Sequence, residues 1–442
     1  MATTATTTPT LQTLFFFFLL SLFTLSEARR ESAAPDSLPL PIWKDESTLQ
    51  YITHHIAQGT PPISLKLVLD VGGPFLWLDC HSTFVSQSYF PVRCRSIQCS
   101  AARTTGGGFC NCNNSNNNNK DDEICHLYPQ NPISHKASAG ELVEDILHFT
   151  YPSNASAHTR FLFSCAPNLL LSSLASGAQG MLGLGSNRIS LPSQIAAVFD
   201  FHRKFAICLP PSSSQGVIFF GDGPYMLQSD MDASKYLMYT PLITANSNER
   251  RVAGPDPSAD YFIGVKSITI NGKSVQLNSS LLSIDGEGRG GTKISTAVPY
   301  TTIETSIFVA VTKSFSEAAI NNFNMTRVAP VPPFQECFSS KNIVSARTGP
   351  VVPTIDLVLQ SEMVYWRIWG SNSMVRVKED VFCLAMLDGG WRPINSIVVG
   401  GYQLENNLLQ FDLASSRLGF SSSLLTRQTT CSPSPGGSSY QR

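Results

Sequence analysis

Two hydrophobic segments of the chain end in the same kind of turn, and this repeat restricts the fold more than any other feature. The first reads Leu-Val-Leu-Asp-Val-Gly-Gly, with Asp70 at the end of the hydrophobic run. The second reads Lys-Ile-Ser-Thr-Ala-Val-Pro, with Ser295 in the position equivalent to Asp70. A hydrophobic-hydrophobic-Gly strand follows each turn, at 181–183 and at 398–400. Two matched turns with matched later strands are not expected by chance.

Length and composition predict a large protein built mainly from β-strands. A chain of 442 residues exceeds a single ordinary core and is expected to divide in two. Charged residues make up 14%, and long stretches with a helical hydrophobic period are few. Helices are predicted at 191–199, with a proline in the first turn, and at 305–320. Asn271-Gly272 predicts a tight hairpin turn.

Short strings throughout the chain resemble the pepsin-like (A1) proteins and one plant family among them. They lie at 75–80, 91–94, 163–167, 203–206, 261–268, 327–334, 371–375 and 410–420. That family comprises the extracellular dermal glycoproteins, the xyloglucanase- and xylanase-inhibiting proteins and the basic 7S globulins. The resemblance spans about residues 49 to 431. It implies an all-β, bilobal pepsin-like aspartic-protease fold with a few short helices.

The same resemblance bears on catalysis, because pepsin-like proteases need two carboxyl groups that share a proton. Asp70 retains one of them, whereas Ser295 puts a hydroxyl in place of the other. Val71 lacks the hydroxyl usual after the first aspartate, and Ala297 stands where the second turn usually has glycine. We therefore expect Asp70 and Ser295 to be relics of a catalytic pair in a protein that is not an enzyme.

Sequence patterns predict the targeting of the chain and its division into domains. An apolar run at 14–25, followed by small residues, predicts a signal peptide over 1–28 and hence a secreted, extracellular protein. The family resemblance implies the apoplast or cell wall. The predicted segments after the signal are an N-terminal extension at 29–48, a first lobe at 49–236, a second lobe at 237–431 and a polar tail at 432–442. The first strand is predicted at 49–56.

Eleven cysteines in a secreted chain predict disulfides rather than metal ligands. No cysteine or histidine spacing suits a metal site, and no cofactor is expected. The odd number leaves one thiol over, which we place in the cluster between 80 and 125. The resemblance implies pairs of Cys208 with Cys431 and of Cys337 with Cys383. The other cysteines assigned to disulfides are Cys80, Cys94, Cys99, Cys125 and Cys165.

Glycosylation triplets and a net charge near zero are typical of an extracellular glycoprotein. Asn-x-Ser/Thr triplets predict N-glycosylation at Asn113, Asn154, Asn278 and Asn324. The formal net charge is −1, so neither nucleic acid nor a membrane surface is expected as a partner.

Three functions follow from these observations. The resemblance implies a protein inhibitor of a microbial glycoside hydrolase, a xyloglucan-specific endoglucanase of family 12 or a xylanase of family 11. Its interface would use Arg327 and Arg392, with Trp391 adding a flat face, although each arginine could equally be a solvated surface charge. The second function is a storage or signalling protein like the basic 7S globulins, which binds a peptide or protein. The third, a residual protease, conflicts with the substitutions in the two turns.

Overall fold

The computed structural model describes residues 37–80, 86–106, 109–110, 124–150, 156–212, 214–228, 231–243 and 259–432. These residues form mostly β-strands with a few helices, and the prediction of an all-β pepsin-like fold is confirmed. Among the described residues, no helix combines the length and the apolar character needed to cross a membrane. The predicted signal peptide and polar tail lie outside the described residues, apart from Ser432.

The strands fall on both sides of residue 237, the predicted boundary between the lobes. Before it the strands are Ser37–Lys44, Tyr51–Gln58, Ile63–Asp70, Trp77–Leu78, Phe90–Pro91, Phe109–Cys110, Cys125–Leu127, Gln130–Asn131, Lys136–Ala137, Gly140–Thr150, Ser156–Cys165, Gly180–Gly183, Lys204–Cys208, Gln215–Gly221, Met226–Leu227 and Met231–Asp232. After it they are Met238–Ile243, Tyr261–Ile263, Ser267–Ile270, Lys273–Ser274, Thr292–Ile294, Thr301–Ile303, Arg327–Val328, Cys337–Ser339, Ser345–Ala346, Gly349–Pro350, Ile355–Ser361, Val364–Ile368, Met374–Lys378, Val381–Leu384, Met386–Asp388, Ile397–Val399, Leu408–Asp412 and Arg417–Phe420.

The helices include both of those predicted. The α-helices are Ile97–Gly106, Leu191–Phe199, Thr305–Phe323, Gly370–Ser373 and Gly401–Leu404, and short 3₁₀ turns lie at Asn168–Leu171, Ala233–Tyr236, Ser279–Leu282, Ser340–Asn342 and Leu424–Arg427. The helix Thr305–Phe323 runs three residues past its predicted end, to a left-handed Asn324 that caps it. Its buried stripe includes Ile307, Val311, Phe315 and Ala319, so this face belongs to the core.

Six consecutive antiparallel strands within one larger sheet join the two halves of the chain. Their order is Ser37–Lys44, Gln215–Gly221, Lys204–Cys208, Leu408–Asp412, Arg417–Phe420 and Met238–Ile243. The seam lies between Lys204–Cys208 and Leu408–Asp412, where Phe205 stacks on Phe411 with ring centroids 4.8 Å apart. This sheet holds the two halves, and therefore the two turns, in a fixed relation.

The strand Ser37–Lys44 corrects the prediction that the first strand begins at Leu49. Residues 29–48 looked like a Pro- and Ser-rich extension, yet Leu38, Leu40 and Ile42 are buried on one side of a strand. The intervening Pro39 and Pro41 cannot donate backbone hydrogen bonds, which is tolerated because their part of the strand pairs with a neighbouring strand on one side only. The two-residue hydrophobic period outweighs the proline content.

A buried ion pair links this N-terminal region to the second half of the chain. Lys44 donates from Nζ to Oε1 of Glu405, and Tyr51 donates to the same oxygen at 2.9 Å. Glu405 is 3% exposed, and burial raises the pKa of its carboxyl, against the opposing effect of Lys44. Lys44 also lies over the ring of Tyr402, 5.6 Å from the centroid. This set of residues, which we call the Glu405 clamp, is a second tie across the seam.

Disulfides add covalent ties in both halves. The bonds are Cys80–Cys165, Cys99–Cys125, Cys208–Cys431 and Cys337–Cys383, and Cys94 is also disulfide-bonded. The last two of the four are the pairs that the family resemblance implied. Cys208–Cys431 closes the longest loop, with a sequence separation of 223, and fastens the C-terminal end of the described chain to the central sheet. The prediction of one leftover thiol stays a prediction.

Candidate functional site

Asp70 lies at the end of strand Ile63–Asp70, where the sequence predicted the first turn. Its strand pairs in parallel with Gly180–Gly183, the later glycine strand, so that Gly183 is opposite Asp70. The side chain accepts a hydrogen bond from the Gly72 backbone N–H at 3.1 Å, and the residue is 8% exposed. The turn is therefore built around its carboxylate.

Ser295 occupies the corresponding place in the second half. Strand Thr292–Ile294 pairs in parallel with Ile397–Val399, and the Ser295 hydroxyl accepts from the Ala297 N–H at 3.2 Å. This bond repeats the one between Gly72 and Asp70. The serine thus replaces the structural role of an aspartate in its own turn, but it supplies no ionisable group.

Only the second of the two turns contributes a side-chain hydroxyl that contacts the other turn. The Thr296 hydroxyl accepts from the Val71 N–H and donates to the Leu69 carbonyl, both at 3.0 Å. These bonds join the two turns directly. Val71 has no hydroxyl with which to return the contact, and its side chain is fully buried instead.

A second carboxylate does lie near Asp70, but it comes from a residue that the sequence did not single out. Asp260 precedes strand Tyr261–Ile263 and forms an ion pair with Lys293, Nζ to Oδ2, at 2.7 Å. A Cβ added to Gly72 would meet Oδ1 of Asp260 at 2.1 Å, so this carboxylate fills the space directly beside the first turn. Lys293 inside a short hydrophobic strand was the available signal, because a cation there requires a counter-ion.

The electrostatics of the site follow from this arrangement. Burial, and then the negative charge of Asp260, raise the pKa of Asp70 to about 6, while Lys293 opposes the shift. Lys293 is paired with Asp260, and Asp70 forms no ion pair among the described residues. The nearby carboxylate of Asp260 is thus held by Lys293, and the residue equivalent to Asp70 in the second turn is Ser295, so the arrangement differs from the proton-sharing carboxyl pair of pepsin-like proteases.

Arg327, the first predicted interface residue, is already engaged within the protein. It lies in strand Arg327–Val328, and its guanidinium is paired with Glu336, which also accepts from the Ser316 hydroxyl at 2.8 Å. The Arg327 side chain is 53% exposed. A partner would therefore have to share this guanidinium with Glu336 or replace the internal bond.

Trp391 and Arg392 lie together in a connection, residues 388–396, that we call the 388–396 loop. The loop is fastened along its length by Gly389 N to Ile303 O (2.7 Å), Thr305 N to Gly390 O (3.1 Å), Thr305 Oγ1 to Asp388 (2.7 Å), Gly390 N to Asp388 (2.9 Å), Gly290 N to Ile394 O (2.8 Å) and Glu304 N to Ser396 O (2.7 Å). These bonds reach the start of helix Thr305–Phe323 on one side and residue 290 on the other. The backbone of the loop is thus fixed before any partner arrives.

The tip of the 388–396 loop presents side chains to solvent. Trp391 is 74% exposed and Ile394 is 70% exposed. Arg392 is also exposed, with a left-handed backbone (φ 53°), and forms no ion pair with the described residues. The loop therefore combines two large exposed apolar side chains with a guanidinium that has no ion-pair partner in the described part of the chain.

Comparison with known proteins places this geometry in a family. Residues 51–222 match the family model described as xylanase inhibitor N-terminal, and residues 260–422 match xylanase inhibitor C-terminal. The chain belongs to the xylanase-inhibitor family of pepsin-like proteins. Asp70 lies in the N-terminal match, whereas Ser295 and the two arginines predicted for an interface, Arg327 and Arg392, lie in the C-terminal match.

Relatives in the xylanase-inhibitor family cover nearly the whole chain. The probable aspartic proteinase GIP2 of Nicotiana benthamiana is 51% identical over 93% of this chain and 95% of its own length. Gamma conglutin 1 of Prunus dulcis is 38% identical over 95% of both chains. The solved structure of edgp has a TM-score of 0.83 and 50% identity over 91% of this chain and 98% of its own, and soybean basic 7S globulin has a TM-score of 0.74 and 33% identity over 90% and 97%.

The remaining predicted sites are compatible with their surroundings where the structure describes them. Asn278 and Asn324 are exposed, whereas Asn113 and Asn154 lie outside the described residues. Glycosylation of all four stays a prediction. Among the described residues, no group of three or more His, Cys, Asp or Glu side chains is arranged to hold a metal ion.

Proposed function

We propose that this member of the xylanase-inhibitor family is a secreted, proteolytically inactive protein that binds and inhibits a microbial glycoside hydrolase. The target class would be a family 12 xyloglucan-specific endoglucanase or a family 11 xylanase. One observation carries the proposal: the 388–396 loop is hydrogen-bonded on both sides of its tip and presents Arg392, which forms no ion pair with any described residue, beside the exposed Trp391. The family models that match the chain support the same class of partner.

The chemistry of such binding follows from the target's active site. A glycosidase cleft contains two carboxyl groups roughly 5–10 Å apart. A guanidinium forms two parallel hydrogen bonds with one carboxylate, and this pairing is strong when the groove excludes water. A loop that is already ordered loses little conformational entropy on docking, which favours affinity. Trp391 would add an apolar face at the centre of the contact, where large aromatic side chains contribute most.

The structure gives Arg392 and Arg327 different expected roles. Arg392 is free to pair with a partner's carboxylate at once, whereas Arg327 must leave or share Glu336. We therefore propose Arg392 as the principal inhibitory contact and Arg327 as a secondary one.

Inhibition of a panel of family 11 and family 12 enzymes at mildly acid to neutral pH tests this proposal. The wild-type protein is expected to inhibit at least one enzyme in the panel. Arg392→Ala is expected to weaken inhibition by about 30-fold or more, corresponding to about 2 kcal/mol, because a central arginine contact is lost. Arg327→Ala is expected to weaken it less.

Arg347→Ala is the matched control, because Arg347 is also an exposed second-half arginine without an ion pair among the described residues. It should leave the inhibition constant unchanged. If the panel shows no inhibition by the wild-type protein, or if Arg392→Ala and Arg347→Ala behave alike, the assignment to the 388–396 loop fails.

A storage or signalling protein that binds a peptide or protein is the second candidate. It is favoured by the similarity to gamma conglutin and basic 7S globulin over nine-tenths of the chain. Gel filtration and the enzyme panel together distinguish the two candidate functions. A monomer that inhibits a glycoside hydrolase supports the first candidate, whereas a defined oligomer without inhibition supports the second.

A further inference from the structure

An open cavity of about 540 Å³ lies beside the 388–396 loop, and three residues of the loop, Arg392, Pro393 and Ser396, form part of its wall. Its other polar or charged lining residues are Ser280, Ser283, Asp285, Glu287, Arg289 and Glu304. Its volume is within the range of about 300–1,000 Å³ typical of small-ligand sites. The two turns at Asp70 and Ser295 do not line it, whereas Arg392 belongs both to the tip of the loop and to the cavity.

Two buried polar side chains in the cavity wall retain unused hydrogen-bonding capacity. Glu304 is 4% exposed, and its Oε2 accepts from the N–H groups of Ser306 (2.8 Å) and Ile307 (3.2 Å) at the start of the helix. Its Oε1 has no hydrogen-bond partner among the described residues. Ser396 is 3% exposed, and its hydroxyl likewise has none in the described part of the chain. Neither atom is fully enclosed by the described residues, so a ligand or water in the cavity can reach both and supply the partner.

The charges around the cavity define the class of ligand. Asp285, Glu287 and Glu304 provide carboxylate acceptors, and Arg289 and Arg392 provide guanidinium donors. Arg289 is paired with Glu287, Nε to Oε2, at 3.6 Å, whereas Arg392 forms no ion pair among the described residues. A cationic ligand would be repelled by both arginines, and an anionic ligand would be repelled by the three carboxylates. A neutral ligand with many hydroxyl groups meets neither problem, because each hydroxyl both donates and accepts.

We propose that this cavity binds a neutral saccharide. The hydroxyl groups of one or two sugar rings would bond to Glu304, Ser396 and the arginines. Trp391 does not line the cavity, but it is adjacent to Arg392 in the sequence and its exposed side chain offers a flat apolar face to a sugar ring.

The sugar has two possible sources that share this chemistry. Asn278 begins a glycosylation triplet that ends at Ser280, and Ser280 lines the cavity. The exposed Asn278 side chain accepts from the N–H (3.2 Å) and the hydroxyl (2.8 Å) of Ser280. A glycan attached to Asn278 would therefore begin beside the cavity wall. The alternative source is a free oligosaccharide of plant or microbial origin.

Calorimetric titration and ligand-observed NMR of the full-length secreted protein test the proposal, with xylo-, cello- and chito-oligosaccharides as probes. Each probe is tested on the glycosylated protein and on Asn278→Gln, which cannot carry the glycan. Ser283→Trp fills the cavity from an exposed position, and Ser396→Ala removes the free hydroxyl without filling space. Ser345→Trp, at another exposed serine, is the matched control.

At least one probe is expected to bind Asn278→Gln. Introducing Ser283→Trp into that background should weaken binding by about tenfold or more, Ser396→Ala should weaken it by a smaller factor, and Ser345→Trp should not. Binding only after removal of the glycan identifies the Asn278 glycan as the occupant, and equal binding by both forms identifies an external saccharide. Absence of binding to either form, or unchanged binding by both cavity variants, overturns the proposal. These results do not depend on inhibition of any glycoside hydrolase.

Discussion

Glu405→Ala is expected to lower the free energy of unfolding by about 3–5 kcal/mol. Glu405 is the ion-pair partner of Lys44, whose side chain is only 9% exposed, and it also accepts from Tyr51. Removing the carboxylate leaves the Lys44 ammonium without a counter-ion and the Tyr51 hydroxyl without its acceptor. Because Lys44 and Tyr51 come from the first half of the chain and Glu405 from the second, the tie across the seam is lost as well. Denaturant unfolding at pH 7 measures the change.

A double variant separates the loss of the pair from the loss of one partner. Lys44→Met/Glu405→Gln removes both charges and keeps an acceptor for Tyr51, so it is expected to recover most of the stability that Glu405→Ala loses. Glu362→Ala, at an exposed glutamate, should change stability by less than about 0.5 kcal/mol. If the double variant is as unstable as Glu405→Ala, an uncompensated lysine is not the cause of the loss.

Asp70→Asn is expected to stabilise the protein at neutral pH. The folded-state pKa of Asp70, about 6, is raised above its ordinary value of 3.8 by burial and by Asp260. The raised pKa means that the folded protein favours the protonated carboxyl of Asp70. The contribution of this carboxyl to stability is therefore full below about pH 4 and is lost as the pH rises through 6. By pH 7 the cost is about 3 kcal/mol. Asparagine removes the charge and keeps an oxygen for the Gly72 N–H.

The pH dependence distinguishes this explanation from a general packing effect. The stability difference between Asp70→Asn and the wild-type protein should grow between pH 4 and pH 7 and be small at the acid end. Asp380→Asn, at an exposed aspartate, is the control and should show no such trend. A constant difference across this range would mean that Asp70 does not titrate as its surroundings indicate. Thermal unfolding across a pH series provides the data.

The sequence predicts most of the fold because its decisive signals are local. The two turns, the helix with Pro192 in its first turn and the Asn271-Gly272 hairpin each depend on neighbouring residues. Both hairpin residues have positive φ (48° and 78°), as this turn requires. The strand Ser37–Lys44 was missed because prolines hid its two-residue period, and its pairing partner lies more than a hundred residues later.

The candidate site is less predictable, because its side chains come from distant parts of the chain. Asp70 and Ser295 are visible as motifs, but the approach of Asp260 to Gly72 depends on the packing of the two halves. Likewise, nothing in the string around Arg327 shows that Glu336 binds its guanidinium. The hydrogen bonds that hold the 388–396 loop also join separate segments. Motifs thus identify the relics, whereas the available binding surface emerges only from tertiary contacts.

We infer that the pepsin-like frame retains one carboxylate of the catalytic pair, Asp70, and does not hydrolyse proteins. Hydrolysis of denatured casein by the purified secreted protein, measured from about pH 3 to pH 7, is the decisive measurement, since this range spans the titration of Asp70. No cleavage above background is expected at any pH. Pepstatin-sensitive cleavage that disappears in Asp70→Ala would show that the protein is an active protease.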